Sequence, residues 1–220
     1  MSFAQVAQAV VVLLAGVGVY SFTLTAKDSE VRRSCSALCA MKPDYAARNR
    51  VAPDFQLPNM NGGTVSLSSL RGKTVILNFW TKTCRPCLEE MPSLADLGKK
   101  LATEPNVLLV TITTDESAAD ARATLESVGV GKDPPFMVLI DPDGKIVQDR
   151  YGTKLFPETW FIDPNGVIRA RFDGPREWDG PLPIDLARSL SGPLACEITY
   201  ATGEPSGPLA GLCRDLGGVR

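Results

Sequence analysis

The spacing of apolar residues changes several times along the chain, and each change marks an expected element. Phe3 to Leu24 is an almost unbroken apolar run, with Val10-Val-Val-Leu-Leu14 at its middle. Its length meets the ~20 residues that a membrane-spanning helix requires. Ser34 to Tyr45 reads as a short helix, and Ala52–Leu57 and Thr64–Leu67, joined by Asn61-Gly62-Gly63, read as a hairpin. Thr74 to Phe79 is a nearly continuous apolar run, the pattern of a strand buried on both faces. A helix follows it to about Ala102. Asn106 to Thr113 is the next strand and Ser117 to Val128 the next helix, with Ser117 as N-cap and Asp120 three residues on. Gly129 to Pro135 is a loop, Phe136 to Ile140 a short strand, and Asp141-Pro-Asp-Gly144 a turn. Thr159–Ile162 and Val167–Phe172 form a second hairpin through Asn165-Gly166. Leu182 to Leu190 is an amphipathic helix with Leu182, Leu186 and Leu190 along one face.

Strands alternating with helices predict an α/β domain with a parallel core. The expected organisation is a membrane anchor at 1–26, a linker with a cysteine-bearing helix at 27–50, the domain at 51–191, and a Gly/Pro-rich tail at 192–220. A length of 220 residues suits one domain with appendages. The net charge of −2 offers no basic surface, which argues against nucleic acid as a partner.

Two signals disagree about which side of the membrane the domain faces. Lys27, Arg32, Arg33 and Lys42 follow the apolar run and no Lys or Arg precedes it, so the positive-inside rule would leave the domain in the cytoplasm. The cysteines point outward. Of six, Cys35, Cys39, Cys196 and Cys213 stand at the two ends of the soluble part, as structural disulfides of an oxidising compartment would. Long domains cross largely regardless of flanking charge, so a single-pass protein of the cytoplasmic membrane with its domain facing the periplasm or exterior is expected. A cleaved signal peptide is the alternative to an anchor, although Leu24-Thr25-Ala26 is a poor cleavage site. A Cys35–Cys39 bridge within one helical turn would need strained geometry. Ties from that helix to the tail are expected, with a local Cys196–Cys213 bridge as the alternative.

The remaining pair, Cys84-Arg85-Pro86-Cys87, stands where the central strand meets the next helix. A thiol at a helix N-terminus faces unpaired N–H groups and the positive end of the dipole, which lower its pKa. Cys84 is therefore the expected nucleophile. Cys87, one turn deeper, is the expected resolving thiol and the more buried of the two. A zinc site needs four ligands, and this chain has no histidine; no metal is expected.

These residues resemble the thioredoxin superfamily, in particular the membrane-anchored thiol:disulfide oxidoreductases of the TlpA and ResA type, with some likeness to the reductases of cytochrome c maturation. The resemblance covers about Ala52 to Leu190. It rests on Ala52-Pro-Asp-Phe55, Leu70-Arg-Gly-Lys73, Asn78-Phe-Trp80, Cys84-Arg-Pro-Cys87, Glu90-Met-Pro92 and Phe156-Pro157-Glu-Thr-Trp-Phe-Ile-Asp163. It implies a thioredoxin-like fold: a central mixed β-sheet flanked by helices, with an N-terminal β-hairpin extension and a central insertion. It also implies exchange with protein thiols and disulfides, an upstream membrane thiol donor, and no cofactor beyond the redox-active disulfide. Pro157 is similar to the family's cis-proline, with Phe156 offering its backbone to a substrate; Trp80, Arg85 and Pro86 complete the implied substrate-facing set. Glu90 matches the family's active-site glutamate, which takes a proton from Cys87 if burial raises its pKa.

The chain also departs from that pattern. Asn78 stands where thioredoxins have a buried acid, and Thr83 replaces the tryptophan common before the first cysteine. Two other classes remain open at this point. A peroxiredoxin-like peroxidase wants Pro and Thr seven and three positions before its cysteine, and Thr81 fits whereas Leu77 does not. A copper-binding module of the same fold would use C-x-x-x-C and a later His; Cys35 and Cys39 have that spacing but precede the domain.

Overall fold

One helix, α1 (Phe3–Met41), leads into the folded body of the computed structural model, which describes residues 3–41, 50–191, 198 and 204–216. The sequence suggested an anchor ending at residue 26 and a separate helix from Ser34 to Tyr45. Instead one helix of 39 residues, Phe3–Met41, covers the first and runs unbroken into the second; residues 42–45 of the expected helix lie outside the described residues. Neither glycine nor proline interrupts residues 19–41, and Asp28 pairs with Arg32 at 2.9 Å across the expected break.

The elements that follow are β1 (Arg50–Val51), β2 (Gln56–Pro58), β3 (Thr64–Ser66), β4 (Thr74–Trp80), α2 (Arg85–Leu101), β5 (Val107–Thr113), α3 (Ala118–Ser127), β6 (Met137–Ile140), β7 (Glu158–Ile162), β8 (Val167–Asp173), α4 (Pro181–Leu190) and α5 (Gly211–Leu216). Six strands make one mixed sheet in the order β1-β8-β7-β4-β5-β6. The strands β4, β5 and β6 run parallel, with α2 and α3 as crossovers, while β7 is antiparallel to β4 and β8 to β7. Every residue of β4 is buried because both faces are covered. Ile76 and Trp80 enter a core built with α2, α3, α4 and the end of α1. Val75, Leu77 and Phe79 enter a second core under the β2–β3 hairpin and a π-helical turn at Lys145–Arg150. The hairpin is held to the sheet edge by Met60 N–H donating to the Val138 carbonyl at 2.9 Å.

The buried stripe of α4 differs slightly from the expected one. Pro183, Leu186, Ala187 and Leu190 are buried, while Leu182 stays 39% exposed. Steps of four residues drift by about 40° around a helix, so Leu182 falls on the rim of the stripe.

The end of α1 belongs to the folded body and is not a linker. Ala37 and Met41 enter the main core, and Arg33 pairs with Asp185 of α4 at 3.0 Å. Cys39 is bonded to Cys213 of α5, across a sequence separation of 174. This excludes the local Cys196–Cys213 bridge. Cys35 is also disulfide-bonded, and Cys196 lies outside the described residues. Cys35 and Cys39 share one helical face and pack with Ile198, Leu209 and Leu212. A bridge over so long a loop stabilises by ~2–4 kcal/mol when unstrained, chiefly by restricting the unfolded chain.

Candidate active site

The central strand β4 ends at Trp80, and the loop after it is fastened before α2 begins. Cys84 N–H donates to the Thr81 carbonyl at 3.0 Å. The buried carboxylate of Asp115, just past β5, accepts from the Thr81 hydroxyl at 3.0 Å and from Lys82 N–H at 2.7 Å. Cys84 is the N-cap of α2, and Pro86 occupies the first turn, where a missing N–H costs nothing. Cys84 Sγ accepts the backbone N–H of Cys87 at 3.2 Å. The two sulfurs form a disulfide, with Cys84 half-buried and Cys87 fully buried. Only the outer sulfur is open to a partner. Once the pair is reduced, the same N–H and the helix dipole stabilise a thiolate on Cys84.

One turn further along α2, Glu90 is 3% exposed and surrounded by donors. Its Oε1 accepts from Asn78 Nδ2 at 2.9 Å. Its Oε2 accepts from Trp178 Nε1 at 2.9 Å and from Arg176 N–H at 3.1 Å. Burial dominates and pushes its pKa up to about 7, against the pull of the Trp178 and Asn78 hydrogen bonds, the Arg176 N–H and the Arg176 charge. Glu90 is thus poised to change protonation near neutral pH. Asn78 also donates to Thr159 at 2.9 Å, so it ties β4, β7 and α2 together where thioredoxins place an acid.

The other residues singled out by the sequence divide between rim and interior. The Phe156–Pro157 peptide is cis, and the Pro157 carbonyl accepts from Gly174 N–H at 3.0 Å. Phe156 is half-buried and touches both cores. Pro86 is exposed. The side chain of Arg85 is 90% exposed and pairs with Glu89 at 2.9 Å, so part of its charge is spent along the helix and not on the sulfurs. Trp80 must be corrected: it is fully buried and its indole N–H donates to Thr111 at 3.1 Å. The inward-facing register of β4 makes it a support beneath the site and removes it from any substrate surface.

Sequence reasoning missed the loop between β8 and α4. Trp178 and Arg176 come from it, and Trp178 N–H also donates to Ser93 of α2 at 3.2 Å. The available signal was a tryptophan set among charged residues in Pro175-Arg-Glu-Trp178-Asp179. Asp115 was missed too, the first acid after an apolar strand. Glu158, next to the cis-proline, is a further buried carboxylate; burial raises its pKa, opposed by its Thr153 hydrogen bond and Arg171. Its Oε2 also accepts from Trp160 Nε1 at 3.3 Å.

The sequence profile of the AhpC/TSA family matches residues 49–171, more than half of the chain. The thioredoxin-like protein YneN of Bacillus subtilis is 37% identical over 54% of this chain and 66% of its own length. The thiol-disulfide oxidoreductase ResA of Bacillus subtilis is 35% identical over 53% of this chain and 62% of its own length. The chain therefore matches less than two thirds of the length of these curated relatives. Among solved structures, a Chlorobium tepidum protein provisionally assigned as a thiol:disulfide interchange protein DsbE is 29% identical. It superimposes with a TM-score of 0.57 over 67% of this chain and 100% of its own. The fold is thioredoxin-like.

Proposed function

The chain belongs to the AhpC/TSA family, and from that membership and the site we propose a membrane-anchored thiol:disulfide oxidoreductase acting on extracytoplasmic proteins. The observation that carries this reading is the Cys84–Cys87 disulfide at the N-terminus of α2, outer sulfur half-open and inner sulfur sealed, with Glu90 buried one turn on. In the reducing direction, the Cys84 thiolate attacks a substrate disulfide. One sulfur of the substrate leaves as thiolate, and Cys84 is held in a mixed disulfide. Glu90 accepts the Cys87 proton, the Cys87 thiolate attacks Cys84 Sγ, and the second substrate sulfur leaves. Two electrons have then moved to the substrate, and the pair is the disulfide seen here. A thiol donor in the membrane restores the dithiol; the reverse sequence oxidises a substrate with the same atoms. No cofactor is required, and the setting most in keeping with the resemblance is cytochrome c maturation. The backbone at Phe156–Pro157, with the surfaces of Phe156, Arg85 and Pro86, is the proposed seat for the substrate.

The trap experiment tests this directly. Cys87→Ala is expected to accumulate mixed disulfides with its partners, visible as adducts on non-reducing gels and absent from the Cys84→Ala/Cys87→Ala double variant. A Cys87→Ala protein that forms no adducts with any disulfide substrate, insulin included, would refute the assignment.

Anchoring is supported by the outward apolar surface of α1, where Phe3 is 91% and Phe22 74% exposed. Residues 3–24 extend about 33 Å as a helix, enough for a hydrocarbon core of ~30 Å. The exterior-facing topology is supported by the Cys39–Cys213 bridge, which would not persist in a reducing cytoplasm. The opposing charges lie in a stretch that folds onto the domain through Arg33 and Asp185, and domains of this length cross despite such charges. Alkylation in intact cells before lysis, read by mass spectrometry, should leave Cys39 and Cys213 unmodified. Free thiols at both positions would put the domain in the cytoplasm.

Peroxidase chemistry draws no support from the site. Leu77 is a core residue of β4, and the Thr81 hydroxyl is committed to Asp115. The copper reading loses its ligands, because Cys35 and Cys39 are both disulfide-bonded.

A further inference from the structure

The C-terminal turn of α1 touches the loop that caps Glu90. Arg176 Nη1 donates to the carbonyl of Met41, the last described residue of α1, at 3.2 Å. The backbone N–H of the same residue donates to Glu90 Oε2 at 3.1 Å. Arg176 therefore bridges the end of α1 and the buried carboxylate. Its guanidinium also lies 5.1 Å over the Phe172 ring, which limits its freedom to swing away. Two residues on, Trp178 clamps the loop to α2 through Glu90 and Ser93, and its ring packs on Phe161 and Phe172. On its other side α1 is fixed by Cys39, two residues before Met41, through the bridge to Cys213. Disulfide, helix end, arginine and glutamate are thus joined in a continuous series of contacts.

We infer that Arg176 is a positioning residue for Glu90, and that through Arg176 the placement of the N-terminal helix, locked by the Cys39–Cys213 bridge, is transmitted to the active site. This rests on reading Glu90 as the proton acceptor. The groups around Glu90 are Asn78 on β4 with Thr159 behind it on β7, Trp178 and Arg176 on the loop, and Cys84 and Cys87 on its own helix. Arg176 brings the positive charge, and the others named are neutral in the oxidised protein. Loosening the tether lets the charge and the N–H withdraw together, and both changes favour the protonated carboxyl. An anchor of the chain would then also set the pH at which the dithiol resolves.

The test is a titration of Glu90 in the oxidised full chain in detergent, by NMR of carboxyl-13C-labelled glutamate assigned with Glu90→Gln. Arg176→Ala and Cys39→Ser/Cys213→Ser are each expected to move the midpoint upward, by about one unit for Arg176→Ala. Arg176→Gln, which keeps a donor for the Met41 carbonyl without the charge, should fall between Arg176→Ala and the parent. Combining Arg176→Ala with the serine pair should add little, because both cut the same series of contacts. An unmoved midpoint in Arg176→Ala overturns the positioning role, and an unmoved midpoint or full additivity with the serine pair overturns the transmission from α1. Arg176→Ala leaves the outer disulfides intact and keeps the test open should the serine variant not fold. The titration needs no turnover, so a protein inactive toward disulfides with a shifted Glu90 would sink the proposed activity and leave the positioning standing.

Discussion

Cys84→Ala is expected to abolish disulfide exchange, with a loss of ~10³-fold or more, the scale seen when the nucleophile of an interdependent set is removed. Two observations make the loss this large. Cys87, the only other thiol of the site, is fully buried, so no substrate disulfide can approach it in line. Nor does Cys87 cap a helix: the N–H that stabilises sulfur charge is its own, and it is directed at Cys84. The measurement is insulin reduction with dithiothreitol as donor, beside thermal unfolding to show that the half-buried alanine leaves the fold intact. Cys87→Ala should differ in kind, completing the first attack and stopping there. Full reductase activity in Cys84→Ala would mean that the chemistry lies elsewhere in the chain.

Glu90→Gln is expected to slow resolution of the mixed disulfide by about 10²-fold near pH 8, the contribution of a well-placed general base. In the parent protein the resolving step should rise through about pH 7, as Glu90 loses its proton and becomes able to accept that of Cys87. In the variant that rise should disappear from the pH profile, leaving the titration of the thiols. Stability should show the same group with a definite sign. The folded pKa of about 7 lies above the ordinary 4.5, so the native state holds the proton more tightly than the unfolded chain. The associated stability is fully present below pH 4.5 and is lost as pH rises through 7, an effect of roughly 3 kcal/mol at its limit. Urea denaturation at pH 5 and pH 8 measures it. A difference between the two pH values that is the same in parent and Glu90→Gln would remove Glu90 from both the proton path and the pH dependence.

Local rules made much of this protein legible. The burial of β4 on both faces follows from its continuous apolar run, the start of α2 from the C-x-x-C pair between strand and helix, and the cap of α3 from Ser117, whose hydroxyl accepts from Asp120 N–H at 3.2 Å. Trp80 shows where such reading fails. Its place in a family-like Asn-Phe-Trp triplet suggested the substrate face, but period-two alternation along β4 puts it on the same side as Ile76, inside the core. The break expected at residue 26 failed for a related reason. A composition change from apolar to charged marks a change of surroundings, and a helix can run through it as long as no residue disrupts its hydrogen bonds.

What the sequence determined by itself is the chemistry available: two sulfurs three residues apart at the mouth of a helix, a carboxylate one turn beyond, a proline ahead of a strand. Those relations are short in sequence and follow from the geometry of one strand and one helix. The protonation of Glu90 was beyond its reach, because it depends on groups distant along the chain. Asn78 comes from the strand before the helix, and Arg176 and Trp178 from a loop more than eighty residues beyond Glu90. The pairing of Cys39 with Cys213 is of the same kind. Six cysteines are compatible with many connectivities, and only the docking of α1 beside α5 brings these two within bonding distance. Burial and proximity belong to the whole fold, since they are set by what the rest of the chain excludes from the site.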